Sequence, residues 1–212
     1  MSIRPYRTGD DDALMQVCLR TAVAGGDASG LVTDGELFGA IWCLPYLQVA
    51  PELASVVALE DDTPVGYVLG ALDTKAFDAA ADARYWPAAR ERHPRGSAEP
   101  ETLDALLVDL IHSPVREKDA DLLRQYPSHL HIDLLPEVQG QGWGRRLLDR
   151  LFAQLVERGS PGVHLGVGTA NTGAIAFYRR LGFADWSPDP SAAETSSAGD
   201  STTLTLVRDL RV

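Results

Sequence analysis

A chain of 212 residues that is 45% hydrophobic and 23% charged has the composition of a single globular domain, 1–212, with a sizeable core, and is unlike disordered, collagenous or membrane chains. No stretch approaches the roughly 18 to 20 uninterrupted apolar residues of a membrane span, and the opening MSIRPYRTGDDDAL lacks the apolar centre of a signal peptide, so a cytoplasmic protein is expected. The net charge of −11 argues against nucleic acid as a partner and suits a neutral or cationic one.

In chain order, IRPYR alternates as a strand, and Leu14, Val17, Cys18 and Thr21 then follow at helical spacing. A second helix starts near Asp34, carries Leu37, Phe38, Ile41 and Trp42 on one face, and ends before Pro45. ASVVALED and TPVGYVLGALD are apolar, β-branched runs around a polar turn, the pattern of an antiparallel hairpin. From 73 to 127 the chain turns polar and helical on both sides of HPRGSAEP. Leu103, Leu106, Leu107, Leu110 and Ile111 form one stripe, and Leu122 and Leu123 belong to another. So long a connection is an insertion, either covering a substrate side or capping the fold. SHLHIDLL reads as a strand, PEVQGQGWG as a loop, and Trp143, Leu147, Leu148, Leu151, Phe152 and Leu155 as one face of a helix. GVHLGVGT is a further strand. Asn171 or Thr172 caps a short helix with Ile175, Phe177, Tyr178 and Leu181, and Gly182 stops it. SPDPSAAETSSAGD reads as an exposed loop, and TTLTLVRDL as a closing, antiparallel strand.

Several groups carry no chemical signal. Cys18 and Cys43 form no CxxC pair and no metal-ligand spacing with the histidines, so buried reduced thiols and no metal are expected. Asp10, Asp11 and Asp12 read as helix N-terminal charges. Arg84, Tyr85, Trp86, Arg90, Arg92, His93 and Arg95 read as a solvated helix face. Trp42, Tyr46 and Trp86 suit core packing or the wall of a pocket.

The chemical signal lies in QGQGWG. A strand that runs through Gly140, Gly142 and Gly144 into a helix aims unpaired amides at one point near the positive end of the helix dipole, which is a phosphate site. Arg145 and Arg146 add charge there. The spacing is wrong for a nicotinamide-binding turn.

QGQGWG resembles the Q/R-x-x-G-x-G/A signature of the GNAT acetyltransferases, and NTGAIAFYRRLGF resembles the second half of the same pattern. The stretch YPSHLHIDLLPEVQGQGWG is also similar to bacterial relatives of the acetyltransferase-like domain of O-GlcNAc hydrolases. The resemblance implies a GNAT-like α/β (α+β) fold: a mixed, mostly antiparallel sheet of about six to seven strands flanked by helices, with the helical insertion preceding the central cofactor-binding strand. It implies acetyl transfer from acetyl-CoA to an amine acceptor by direct attack in a ternary complex. Backbone groups of Ile132 and Leu134 would hold the pantetheine arm. Gln139, Gly140, Gln141, Gly142, Trp143, Gly144 and Arg145 would hold the pyrophosphate. Asn171 would touch the cofactor arm, and Tyr178 would be general acid for the departing thiolate, unless it only fills a helix–sheet interface. The same residues would also suit an acetyl-CoA sensor without turnover, or an interaction module that kept the fold.

Such a transfer needs a neutral amine, donors for the oxyanion and a proton for the thiolate. Alternation places His129, His131 and Asp133 on one face of a strand that should be apolar on both. Asp133 or His131 is therefore expected to take the acceptor's proton or anchor its charge. The alternative is a buried hydrogen-bonded network.

Overall fold

The computed structural model describes residues 1–117, 119–187 and 203–211. Among these, seven strands form one sheet in the order β1-β2-β3-β4-β5-β7-β6. The strands are β1 (Ser2–Pro5), β2 (Ser55–Ala58), β3 (Pro64–Ala71), β4 (Ser128–Leu134), β5 (Gly162–Gly168), β6 (Ala184–Asp185) and β7 (Thr203–Asp209). All neighbours are antiparallel except β4 and β5. The sheet is the expected mixed, mostly antiparallel one. The two-residue β6 has no sequence signature, being too short to show alternation. Most of the expected loop over 187–200 lies outside the described residues.

Helices cover both faces. On one lie α1 (Asp11–Leu19), α2 (Glu36–Trp42) and α3 (Leu44–Val49). On the other, α8 (Trp143–Glu157) buries Leu147, Leu148, Leu151, Phe152 and Leu155, and α9 (Thr172–Arg180) follows β5. The first helix stops at Leu19, short of Thr21, whose hydroxyl instead donates to the Val17 carbonyl at 2.8 Å. Pro45 does not simply end the helical region. It sits in the first turn of α3, where its missing N–H costs nothing.

The insertion is helical as expected, with α4 (Thr74–Arg84), α5 (Trp86–Arg92), α6 (Leu103–His112) and α7 (Ala120–Gln125). Its ends meet where Thr74 donates to the Pro127 carbonyl from both N–H and hydroxyl, at 2.8 and 2.7 Å. It is fastened to the α1–α2 side: Asp104 accepts from the amides of Thr33 and Asp34, and the Tyr85 hydroxyl donates to the Ala40 carbonyl. Within α6, Leu107, Val108 and Ile111 are buried, but Leu106 is 62% exposed, so the expected stripe is narrower than its leucines suggest. No described helix is long and apolar enough to cross a membrane.

One buried ion pair ties the N-terminus to the sheet. The Arg4 side chain, 9% exposed, makes two bonds to the Asp10 carboxylate at 2.8 and 2.9 Å and one to Asp62 at 2.6 Å. Burial pushes the Asp10 carboxyl up, but the Arg4 guanidinium and the Arg7 amide outweigh it and hold it below the usual carboxylate range. Removing one partner of a buried pair strands the other, so Asp10→Asn is expected to cost about 2 to 3 kcal/mol in urea denaturation at neutral pH. A carboxylate with a depressed folded pKa stabilises above its unfolded pKa of about 4 and loses that contribution as pH falls through the folded value. The gap between wild type and variant should therefore close in acid, and a gap unchanged at low pH would contradict this account.

Candidate functional site

β4 is paired with β3 from His129 to its end, from Ala71↔His129 to Gly66↔Leu134. With β5 it is paired only at its start, at Ser128↔Val163 and His129↔His164. Beyond that point the two strands part. β5 is held on its far side by β7, which pairs with it from Gly162↔Asp209 to Gly168↔Thr203.

The direction of the freed groups follows from alternation. The Leu135 amide donates to Val65 of the β3 segment at 3.0 Å, so the backbone groups of Asp133 and His131 also face β3. Those of Ile132 and Leu134 face the opposite way, into the opening. The Leu134 carbonyl is taken by the Gln139 side-chain amide at 2.8 Å. Among the described residues, the Leu134 N–H and both backbone groups of Ile132 have no strand partner on this side and face the opening.

After β4 the chain makes one 3-10 turn over Pro136–Val138 and then a glycine turn into α8. Gly140 and Gly142 adopt φ of 70° and 81°. Gly142 is the N-cap residue of α8, and no side chain caps the helix, so the first-turn amides stay available to an anion. Gly144 is required for a different reason: a Cβ there would lie 3.1 Å from Phe177 Cζ and 3.4 Å from Leu134 Cδ1. Its absence lets the start of α8 sit against β4 and α9.

These elements enclose a cavity of about 620 Å³ lined by Ile132, Leu134, Gln139, Gly140, Gly142, Gly144 and Arg145 on one side and by Asn171 and Tyr178 on the other. Two residues singled out in the same stretch do not line it. The Gln141 side chain turns back to the Glu137 carbonyl at 2.9 Å, and Trp143 lies under the Arg146 guanidinium, 4.6 Å from its ring centre. Asn171 Oδ1 caps α9 through the Ala174 amide at 3.0 Å, which leaves its NH₂ group for a ligand. Thr172, Gly173 and Arg180 also line the cavity.

A second cavity of about 560 Å³ lies on the α1 side of the opening, bounded by Cys18, Thr21, Phe38, Trp42, His131 and Asp133. Asp133, Asn171 and Tyr178 border both cavities, so the two meet beside them. Among the described residues, none between 73 and 127 lines either cavity. Of the aromatic residues considered for a pocket wall, Trp42 lines this cavity. Tyr46 packs on Phe77 and His129, and Trp86 on Tyr85.

The polar face of β4 is a bonded network. Asp133 Oδ2 accepts from the Tyr67 hydroxyl at 2.6 Å and lies 3.0 Å from His131 Nε2. Burial would pull the His131 imidazolium down, but the Asp133 carboxylate lifts it to about 10, so His131 is charged at neutral pH. Burial pushes the Asp133 carboxyl up, yet His131 and Tyr67 hold it below the usual range. His129 is separate: it bonds Thr74 Oγ1 at 2.8 Å, and burial, with His164 and His131 nearby, drives it down to about 3. The Tyr178 hydroxyl is raised by burial and by Asp133, so it keeps its proton. Tyr67 escaped the reading of the sequence. A Tyr within an otherwise apolar strand was its available signal, because a buried phenol needs a partner.

Comparison with known proteins places this geometry in a family. The profile of the acetyltransferase (GNAT) family matches residues 116–183. The crystal structure of SsHAT is 37% identical, with a TM-score of 0.85 over 100% of this chain and 98% of that one. A GNAT superfamily phosphinothricin acetyltransferase from Sinorhizobium meliloti, in complex with AcCoA, shares the fold at 14% identity, with a TM-score of 0.56 over 98% of this chain and 87% of that one. The [ribosomal protein bS18]-alanine N-acetyltransferase of Escherichia coli is 46% identical over 53 residues, 25% of this chain. The matched stretch spans only 36% of that relative and 21% and 18% of two further curated acetyltransferases.

The glycine turn gives a graded stability test. Gly144→Val should overpack the contact with Phe177 and Leu134 and cost about 2 to 3 kcal/mol. Gly140→Ala meets no atom within 4 Å and carries only the left-handed strain, about 1 kcal/mol. Equal midpoints for the two variants in urea denaturation would contradict the close approach at Gly144.

Proposed function

Since this chain belongs to the acetyltransferase (GNAT) family, we propose that it transfers an acetyl group from acetyl-CoA to an amine by direct attack in a ternary complex. The observation that carries this reading is the meeting of two cavities beside Tyr178 and Asp133, one under the uncapped glycine turn and one against the polar face of β4. Acetyl-CoA fits the first. Its diphosphate would take the amides of 140–145, its pantetheine arm the backbone groups of Ile132 and Leu134 that face the opening, and its thioester would end near Tyr178.

The acceptor enters from the second cavity. Asp133 borders both cavities whereas His131 borders only the second, so Asp133 is the group placed to meet the amine. Its bonds to Tyr67 and His131 both fall on Oδ2, and the Thr21 side chain also bonds the carboxylate, whose remaining acceptor capacity orients the incoming nitrogen. Phe38 and Trp42, stacked at 5.6 Å, form an apolar wall that favours the neutral amine by desolvation. Attack on the thioester carbonyl forms the C–N bond and breaks the C–S bond; Tyr178 gives its proton to the departing thiolate, the proton lost by the acylated nitrogen leaves past Asp133 to solvent, and solvent returns one to Tyr178. The likeness of YPSHLHIDLLPEVQGQGWG to the bacterial relatives of the O-GlcNAc hydrolase domain belongs to this reading. So does a cytoplasmic setting, which suits the free Cys18 and Cys43.

Steady-state transfer to a panel of amines, with calorimetric binding of acetyl-CoA, tests the assignment. Tyr178→Phe should lower kcat about a hundredfold or more while acetyl-CoA affinity stays nearly intact. Asp133→Asn should raise the KM for the amine about ten- to a hundredfold, the worth of a charged hydrogen bond at ~1.5–3 kcal/mol. Binding without turnover on any amine would make the protein a sensor of acetyl-CoA, and absence of binding would overturn the reading altogether.

A further inference from the structure

Cys18 has no part in the transfer just described, yet it lies against the residues that do. The donor atoms of Cys18, His131 and Asp133 all fall within 4.8 Å of one another. Cys18 is a free thiol on the inward face of α1, while His131 and Asp133 project from one face of β4. The donors come from two distant elements, which is why spacing along the chain shows no metal motif.

We propose that Cys18, His131 and Asp133 form a binding site for a zinc-class divalent ion, with one coordination position open to the acceptor cavity. A tetrahedral zinc holds sulfur at about 2.3 Å and nitrogen or oxygen at about 2.0–2.2 Å, so its donors stand roughly 3.3–3.7 Å apart. His131 Nε2 and Asp133 Oδ2, at 3.0 Å, already approach this spacing. The thiol has to close by about 1 Å or less. The donor set of thiolate, imidazole and carboxylate suits zinc and disfavours calcium and magnesium, which take oxygen alone. The Tyr67 hydroxyl, bonded to the Asp133 carboxylate at 2.6 Å, holds that ligand from outside the cluster.

On binding, the ion replaces the proton of the Cys18 thiol and the proton that His131 Nε2 shares with Asp133. Without the ion those groups are already bonded to one another, so the fold does not require it. The site is therefore one of regulation: the ion sits where the amine would meet Asp133 and excludes it. This last step rests on the transfer reading above, whereas the site itself does not.

Titration of the reduced full-length protein with Co²⁺ tests the site directly. One equivalent is expected to bind with a thiolate-to-cobalt charge-transfer band and the visible absorption of a tetrahedral ion, and Zn²⁺ should displace it. Cys18→Ser should abolish the band and Cys43→Ser should keep it. Should Cys18→Ser fail to fold, X-ray absorption at the zinc edge of the wild type decides, with one sulfur in the first shell expected. Absence of the charge-transfer band, its survival in Cys18→Ser, or a first shell without sulfur would overturn the proposal. In the kinetic arm Zn²⁺, at ten times its dissociation constant, should raise the KM for the amine about tenfold and leave that for acetyl-CoA unchanged. A cobalt band in a protein that transfers no acetyl group would keep the metal site and remove the transfer reading, and active enzyme without the band would do the reverse.

Discussion

The parting of β4 from β5 is the constraint around which this molecule is arranged. Parallel strands that stay paired bury their backbone groups in each other, and here pairing stops after His129↔His164. A strand edge left open inside a sheet is costly unless something satisfies it. The flanking strands hold the opening in place, β3 along one side of β4 and β7 along the far side of β5. The chain fills one exposed acceptor itself, with Gln139 on the Leu134 carbonyl. The remaining groups at Ile132 and Leu134 open on the same cavity as the uncapped start of α8.

The two faces of β4 have different work to do. Leu130, Ile132 and Leu134 alternate toward the α8 side, where Leu134 meets the space kept clear at Gly144. His131 and Asp133 alternate toward α1, where a central strand would ordinarily be apolar. The Tyr67 phenol, the imidazolium and the carboxylate satisfy one another there. That mutual bonding lets ionisable groups sit beside a cavity, within reach of a substrate, without an orphaned charge in the core.

Much of this was legible in the sequence because it is local. Gly140 and Gly142 punctuate a turn, Leu147, Leu148, Leu151 and Leu155 repeat at helical spacing, Asn171 caps α9 and Gly182 ends it. Side-chain direction inside an irregular loop is not local, and for that reason Gln141 and Trp143 could be placed near the turn but not shown to face away from it. The constellation of Cys18, Tyr67, His131 and Asp133 depends on α1, β3 and β4 coming together, and no periodicity records that. The seating of the insertion was likewise invisible: Asp104 reaching back to Thr33 and Asp34 is a tertiary contact that no local pattern records.

If the parted strands and the glycine turn form one coenzyme cradle, their amides must respond together. Residue-resolved hydrogen exchange with and without saturating coenzyme A measures this. The account predicts slowed exchange at Ile132, Leu134 and residues 140–145, with β1 and β2 unchanged. Coenzyme binding that leaves those amides exchanging at their free rate would contradict it.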